Sequence, residues 1–293
     1  MNLKTKCPIC NSRVKKEVFH NKVWGGNKND KFIRCLKCDT VFLYPLPNNS
    51  QLTKFYKNYP NYMKGRSIDQ NWSNLKNTYD VLSKRDIPLR KSFVEKYFVK
   101  GNVCDVGCSV GFMLDYFKSN NIEAVGIEPS LLEYNFSVSN NNTVYKSFKE
   151  LPNKKYSNVT SYFVIEHLID PINFIKSCLN ITKKNGRFIF EIPHRNDFLL
   201  KNMKNNSYKD FILQKMHVTY FSYESLEFML KKINKKYKIE FGQKYGLDNH
   251  LMWATRNSNS GADFKFSKKL NNIYKKELIK QNMYDYFIVI IYN

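Results

Sequence analysis

Short apolar runs closed by glycine or acidic positions dominate the middle of the chain. Val103 to Val106 is such a run, too short for a helix, and Gly107 and Gly111 bracket a turn from it into the amphipathic stretch Phe112 to Lys118. The pattern predicts a strand, a loop and a helix start. A second run, Ala124 to Ile127, ends in Glu128. A helix from about Ser130, a short strand near Val144, a strand over Val159 to Ile165, a helix from about Pro171 and a strand over Arg187 to Ile192 follow. Further on, Tyr223 to Ile233 has helical spacing, and Tyr237 to Tyr245 and Asp285 to Tyr292 read as strands that pair antiparallel. Alternating strands and helices predict a doubly wound α/β fold with a mainly parallel sheet and ligands at its carboxyl edge. Upstream, apolar positions recur at helical spacing from Asn71 to Lys100, and Pro88 divides them into two predicted helices that cover the sheet.

The first residues obey a different rule. Cys7-Pro-Ile-Cys10 and Cys35-Leu-Lys-Cys38 are two CxxC pairs in turn-rich sequence. Paired knuckles supply the four sulfur ligands that structural zinc favours, while redox-active or unrelated thiols are the competing reading. Trp24-Gly-Gly26 reads as a hairpin tip between the knuckles, and Val41 to Pro47 as a strand broken by prolines. Tyr56, Tyr59 and Tyr62 around Pro60 either pack the small module on the large one or line a pocket. The expected organisation is a ribbon module over 1–47, a linker and helical cover over 48–100, and the sheet domain over 101–293, with an insertion at about 246–284.

Composition adjusts this picture slightly. The 293 residues are 42% hydrophobic and 15% aromatic, enough for a sizeable core. The net charge of +23 favours contact with something anionic, such as a nucleotide, a phosphorylated substrate, RNA or a membrane surface. Yet the excess is lysine scattered among asparagine, isoleucine and tyrosine, and no segment concentrates it as a nucleic-acid arm does. Met1 to Lys6 lacks an apolar signal region, so a cytoplasmic protein is expected, with its seven cysteines as thiols or metal ligands. The terminal apolar run Phe287 to Tyr292 is too short for a membrane span.

The glycine turn alone is compatible with a nucleotide-like ligand or with simple packing of a helix on a sheet. An acid at the tip of the second strand, Glu128, accepts ribose hydroxyls in doubly wound nucleotide-binding sheets. Asp105-Val-Gly-Cys-Ser-Val-Gly111, Gly126-Ile-Glu-Pro129, Val164-Ile-Glu-His-Leu-Ile-Asp-Pro171, Phe190-Glu-Ile-Pro193 and His217-Val-Thr-Tyr-Phe-Ser-Tyr-Glu-Ser-Leu226 together resemble, in order and spacing, the class I S-adenosylmethionine-dependent methyltransferases. Within them the chain resembles small-molecule enzymes with an N-terminal cysteine ribbon, including C- and O-methyltransferases of nucleotide-linked sugars. The resemblance implies a Rossmann-like seven-stranded sheet. It also implies that Asp105, Gly107, Cys108 and Gly111 hold the methionine end of the cofactor, Glu128 and Pro129 the ribose side, and Phe148 and Phe163 the rest of its pocket. Three positions depart from that family. Ser109 stands where a middle glycine is usual, which fits if its backbone stays at negative φ; Tyr145 to Lys149 carries no acid for the adenine amino group; and Tyr156-Ser-Asn-Val159 lacks the usual aspartate.

Methyl transfer to a hydroxyl or an acidic carbon needs something to take a proton, and histidine suits neutral pH. His217, after the fifth strand, is implied by the resemblance to lie at the substrate rim, as base or substrate ligand. Lys215 and Met216 stand before it, where related sugar C-methyltransferases have an acid and a tyrosine. His194 follows Pro193 at the sheet's edge. His167 adjoins Glu166, which could orient it or cap a helix; His250 falls in the insertion and His20 in the ribbon. The basic stretch Lys268 to Lys280 offers either a pyrophosphate contact or a solvated face. The acceptor expected is a sugar, a nucleotide sugar or a surface-polysaccharide precursor, with ribosomal or transfer RNA methylation and a catalytically silent S-adenosylmethionine-binding protein as alternatives.

Overall fold

Two knuckle turns begin the fold, and each ends on a residue in the left-handed region, Asn11 at φ 56° and Asp39 at φ 62°. Asn and Asp adopt this conformation at low cost, which lets the chain reverse directly after each cysteine pair. The computed structural model describes residues 5–13, 15–57, 74–203, 206–256 and 265–293. Tyr59, Pro60, Tyr62 and Asn71, like the Ser/Asn-rich segment at 257–264, lie outside the described residues. Around the knuckles run β1 (Lys16–His20), β2 (Lys31–Cys35) and β3 (Val41–Tyr44), followed by α1 (Asn49–Lys57).

A single helix, α2 (Leu75–Tyr97), then replaces the two expected around Pro88. Asn74 caps it by accepting from the amides of Lys76 and Asn77. Proline removes one helical hydrogen bond. Polar anchors on both sides of Pro88 keep the helix continuous: Asp86 and Arg90 are both buried, and Arg90 donates from Nε and Nη2 to Glu191 Oε2 at 2.9 and 2.8 Å. The Arg90 guanidinium also lies 4.0 Å from the centroid of the Tyr162 ring. Asp86 is in turn paired with Arg85 and, at 3.1 Å, with Lys244.

The sheet domain continues as β4 (Val103–Val106), α3 (Phe112–Ser119), β5 (Ala124–Ile127), α4 (Leu131–Ser139), β6 (Val144–Tyr145), β7 (Tyr156–Tyr162), α5 (Pro171–Ile181), β8 (Thr182–Pro193), α6 (Phe198–Asn202), α7 (Ser207–Ile212), β9 (Thr219–Tyr220), α8 (Tyr223–Lys231), β10 (Tyr237–Gly242), α9 (Leu247–Arg256), α10 (Lys268–Lys280) and β11 (Tyr286–Tyr292). Seven strands form one sheet in the order β10-β11-β8-β7-β4-β5-β6. β8, β7, β4, β5 and β6 are parallel neighbours, whereas β11 pairs antiparallel with β8 and β10. This is the expected doubly wound α/β architecture. Because helices cover both faces, the central strands are buried along nearly their whole length and read as continuous apolar runs.

β7 is the exception, and its polar start explains why hydrophobicity placed that strand three residues late. Its buried polar side chains all find partners: Asn158 bonds both the amide and the carbonyl of Val99, Thr160 donates to Asp105 Oδ1 at 2.7 Å, and Ser161 donates to the Val106 carbonyl. A satisfied polar strand can sit in a core, although periodicity does not reveal it.

The second sheet has the order β1-β2-β3-β9, so the ribbon's three strands are completed by one from the sheet domain. Val41 pairs with Tyr220 and Phe42 with Thr219. Cys7, Cys35, Cys38 and Phe42 share one buried cluster with Phe221, Leu226, Met229 and Leu230. Among the described residues no helix is long and apolar enough to cross a membrane.

Arg90→Ala would strand Glu191 in the interior, while Asp86 keeps Arg85 and Lys244. The substitution should cost about 3 kcal/mol of unfolding free energy, measured by chemical denaturation. A loss below about 1 kcal/mol would show that the pair does not anchor α2.

Candidate active site

The carboxyl edge of the sheet gathers most of the residues singled out in the sequence. β4 delivers Asp105 to this edge, buried and accepting from Thr160; burial pushes its carboxyl up to about 6. Gly107 then turns at φ 80°, where a Cβ would come within 2.4 Å of Val164 Cγ2. Gly111 turns at φ 79°, where a Cβ would lie 2.2 Å from Ser137 Oγ. Both places therefore require glycine. Cys108 is buried over Gly126, and its side chain packs with Leu114 and Val144, so only its main chain belongs to the loop edge.

Ser109 corrects the sequence expectation. Its φ is 48°, in the left-handed region it was expected to avoid. The backbone is held there because the Ser109 amide donates to Glu128 Oε2 at 2.8 Å, while Glu128 Oε1 accepts from the Ser130 amide, also at 2.8 Å. Each carboxylate oxygen keeps a further lone pair for a hydroxyl donor. Burial pushes the Glu128 carboxyl up to about 7 despite these bonds. Pro129 is exposed beside it, and Phe148 is half-buried with its ring edge-on to Phe174 at 6.2 Å. Phe163 ends the β7 turn at φ 56° with its ring 5.6 Å from Tyr286, an unusual backbone for an aromatic residue.

Three polar residues meet beyond β7. Glu166 and His167 lie in the 3₁₀ turn Ile165–His167, and His217 precedes β9. The His167 and His217 rings meet edge to face at 4.8 Å, and one ligand atom from each of the three residues lies within 4.8 Å of the others. His167 Nδ1 is 3.0 Å from the Met216 carbonyl, and His217 Nε2 is 3.1 Å from the Gln214 side-chain nitrogen. Burial pushes the Glu166 carboxyl up to about 8 and the His167 imidazole down to about 4. Glu166 Oε2 has no hydrogen-bond partner among the described residues.

The remaining histidines stand elsewhere. His194 is buried, stacked on Tyr284 at 4.4 Å with Nδ1 3.0 Å from the Tyr284 carbonyl. His250 stacks on Phe198 and bonds Tyr274, and His20 is 2.7 Å from Asp210. The cysteines meet as four: Cys7 Sγ is 3.5 Å from Cys38 Sγ and Cys10 Sγ 3.6 Å from Cys35 Sγ. A tetrahedral zinc at ~2.3 Å from each sulfur sets them about 3.8 Å apart, so the set fits that ion. Asp39, directly after the last cysteine, accepts from Arg195 at 2.5 Å and from Ser222, the N-cap of α8. Arg90 and Gln214 went unnoticed in the sequence, and Glu191 entered it only inside the Phe190 to Pro193 motif; for Arg90 the available signal was a charge on the apolar stripe of its helix.

A model of the methyltransferase-domain family matches residues 82–237, more than half of the chain. The chain belongs to this family. The chain is 26% identical over 148 residues to a ubiquinone biosynthesis O-methyltransferase of Proteus mirabilis (strain HI4320), a match spanning 45% of the chain and 59% of that relative. Its fold is similar to that of a solved S-adenosylmethionine-dependent methyltransferase of Archaeoglobus fulgidus, with a TM-score of 0.51 and 20% identity over 73% of this chain and 94% of that one. It is also similar to the plantazolicin methyltransferase BamL, solved with a triazolic desmethylPZN analogue and SAH, with a TM-score of 0.50 and 14% identity over 83% of this chain and 98% of that one.

Zinc retained after dialysis against a mild chelator should be about one per chain and should fall in a Cys10→Ser, Cys35→Ser variant. With it, hydrogen-exchange protection of the Leu43 and Tyr220 amides should drop; full protection without metal would count against the zinc assignment. Separately, Ser109→Gly should raise the unfolding free energy by about 0.5 kcal/mol, the relief of left-handed strain less glycine's extra chain entropy. A destabilised glycine variant would show that the serine side chain contributes more than the strain costs.

Proposed function

We propose that the protein transfers a methyl group from S-adenosylmethionine to a small molecule. One observation carries the reading: Glu128, at the tip of β5, is tied to the glycine loop through the Ser109 amide, and so presents a buried carboxylate beside that loop. Asp105 and the Gly107 to Gly111 loop would hold the methionine end, and Glu128 the ribose hydroxyls. Phe148 and main chain would flank the adenine in place of the missing acid. The cofactor supplies an electrophilic methyl on its sulfonium; the chain's own work is to align the acceptor and loosen its proton. Glu166, His167 and His217 are the group we assign to that work, with His217 touching the acceptor. His194, wedged between Tyr284 and Phe287, supports the wall of the site.

For the acceptor we favour a sugar, a nucleotide sugar or a polysaccharide precursor, on the ribbon-bearing sequence pattern, while the O-methyltransferase relative broadens the class to other small hydroxyl compounds. Structural zinc in the ribbon completes the proposed protein.

Isothermal titration should show micromolar S-adenosylmethionine binding, weakened about 10-fold or more by Glu128→Ala, the loss of charge-assisted hydrogen bonds. Unchanged affinity would sink the cofactor assignment. His217→Ala should lower kcat about 100-fold with cofactor affinity intact; a parallel loss of affinity would make the histidine architectural. Methyl-labelled cofactor incubated with nucleotide sugars and with total RNA reads out the acceptor class, and label in RNA alone would overturn the small-molecule reading.

A further inference from the structure

We infer that Glu166, His167 and His217 form a divalent-cation site, distinct from the four-cysteine cluster and suited to zinc, manganese or ferrous iron. Two imidazoles and one carboxylate converging from two segments are the donor set such ions take in open, reactive sites. The three donor atoms lie within 4.8 Å of one another. An ion at ~2.1 Å from each would draw them to about 3.4 Å apart, a shift within reach of side-chain rotation.

Two further features point the same way. First, the His167 ring is oriented from behind, where its Nδ1 donates to the Met216 carbonyl at 3.0 Å. Partners of this kind fix the tautomer and aim of metal-ligating histidines. His167 Nε2 faces Glu166, 3.9 Å from Oε1. Second, Glu166 is 1% exposed, its Oε2 has no hydrogen-bond donor, and no lysine or arginine pairs with it among the described residues. A buried carboxylate oxygen left in this state is what a cation would complete.

The inferred role of the site rests on the methyltransferase reading above, although its existence does not. A cation with three protein ligands keeps positions open for an acceptor oxygen and lowers that hydroxyl's affinity for its proton. The cation would then take over from a bare histidine base, and acceptors offering two adjacent oxygens would be held best. In the transfer itself the sulfonium C–S bond breaks, the acceptor O–C bond forms, and the hydroxyl proton passes to water.

Manganese is the informative probe, because hard Mn²⁺ avoids the thiolate cluster that zinc fills. The full zinc-loaded chain is titrated with Mn²⁺, and the free-ion electron paramagnetic resonance signal is followed. One Mn²⁺ should bind per chain, and its affinity should fall at least 10-fold in the near-isosteric Glu166→Gln and in His217→Ala. Ribbon zinc, thermal unfolding and S-adenosylmethionine affinity should stay as in the parent. Failure of Mn²⁺, Co²⁺ and Zn²⁺ alike to bind beyond the ribbon's single ion would overturn the inference, as would a second ion that binds undiminished in both variants. If no second ion binds while His217-dependent methyl transfer continues, the cation site alone falls. If Mn²⁺ binds as expected but S-adenosylmethionine does not, only the methyltransferase reading falls.

Discussion

The pairing of Val41 and Phe42 with Tyr220 and Thr219 is the contact on which the site's geometry depends. It belongs to a relay of main-chain bonds: the Leu43 amide donates to the Val218 carbonyl, and the Val218 amide donates to the Glu166 carbonyl at 2.7 Å. Ribbon, His217 segment and Glu166 turn are thus spaced by backbone as well as by side-chain packing. Trp24 adds a second tie, exchanging bonds with Leu213 and Lys215. The cysteine module is therefore the back wall of the candidate site. Since four clustered sulfurs order their loops best around an ion, a metal held by them would bear on residues far from it in sequence.

Buried charge is handled in two contrasting ways on the sheet. Arg90, Asp86, Glu191, Arg85 and Lys244 neutralise one another between α2 and the strands, which fixes the helix in place. Asp105, Glu128 and Glu166 form no ion pair with a lysine or arginine among the described residues, and burial raises all three carboxyls. Desolvation that the fold leaves uncompensated is concentrated at one edge, where a ligand's hydroxyls or positive charge can offset it.

Much of this was legible from residue pattern, for identifiable reasons. Strands buried on both faces announce themselves as apolar runs, so β4, β5, β8 and β11 were readable, as were the CxxC knuckles and the acid at Glu128. Polar buried segments were not: the first half of β7 is satisfied by partners more than fifty residues away, such as Asn102 and Asp105, and no local window contains them. Pro88 misled because a local breaker was outweighed by a distant ion pair. Ser109 misled because a remote carboxylate dictates its backbone. Nor does the sequence announce β9, two residues long, or the short helices α6 and α7 before it, since tertiary pairing and capping by Asp197 define them.

The strand order has a consequence for how copies of the chain behave beside one another. One border of the large sheet is β6, only two residues long. The other is β10, which carries the salt-bridged pair Lys238 and Glu240. The ribbon sheet likewise ends on β1, with Lys16 and Glu17 along it. Short or charged borders offer no ladder for a neighbouring strand to extend. A chain so rich in isoleucine, phenylalanine and tyrosine thus confines its stickiest strands to interior positions, and its folded form resists edge-to-edge aggregation.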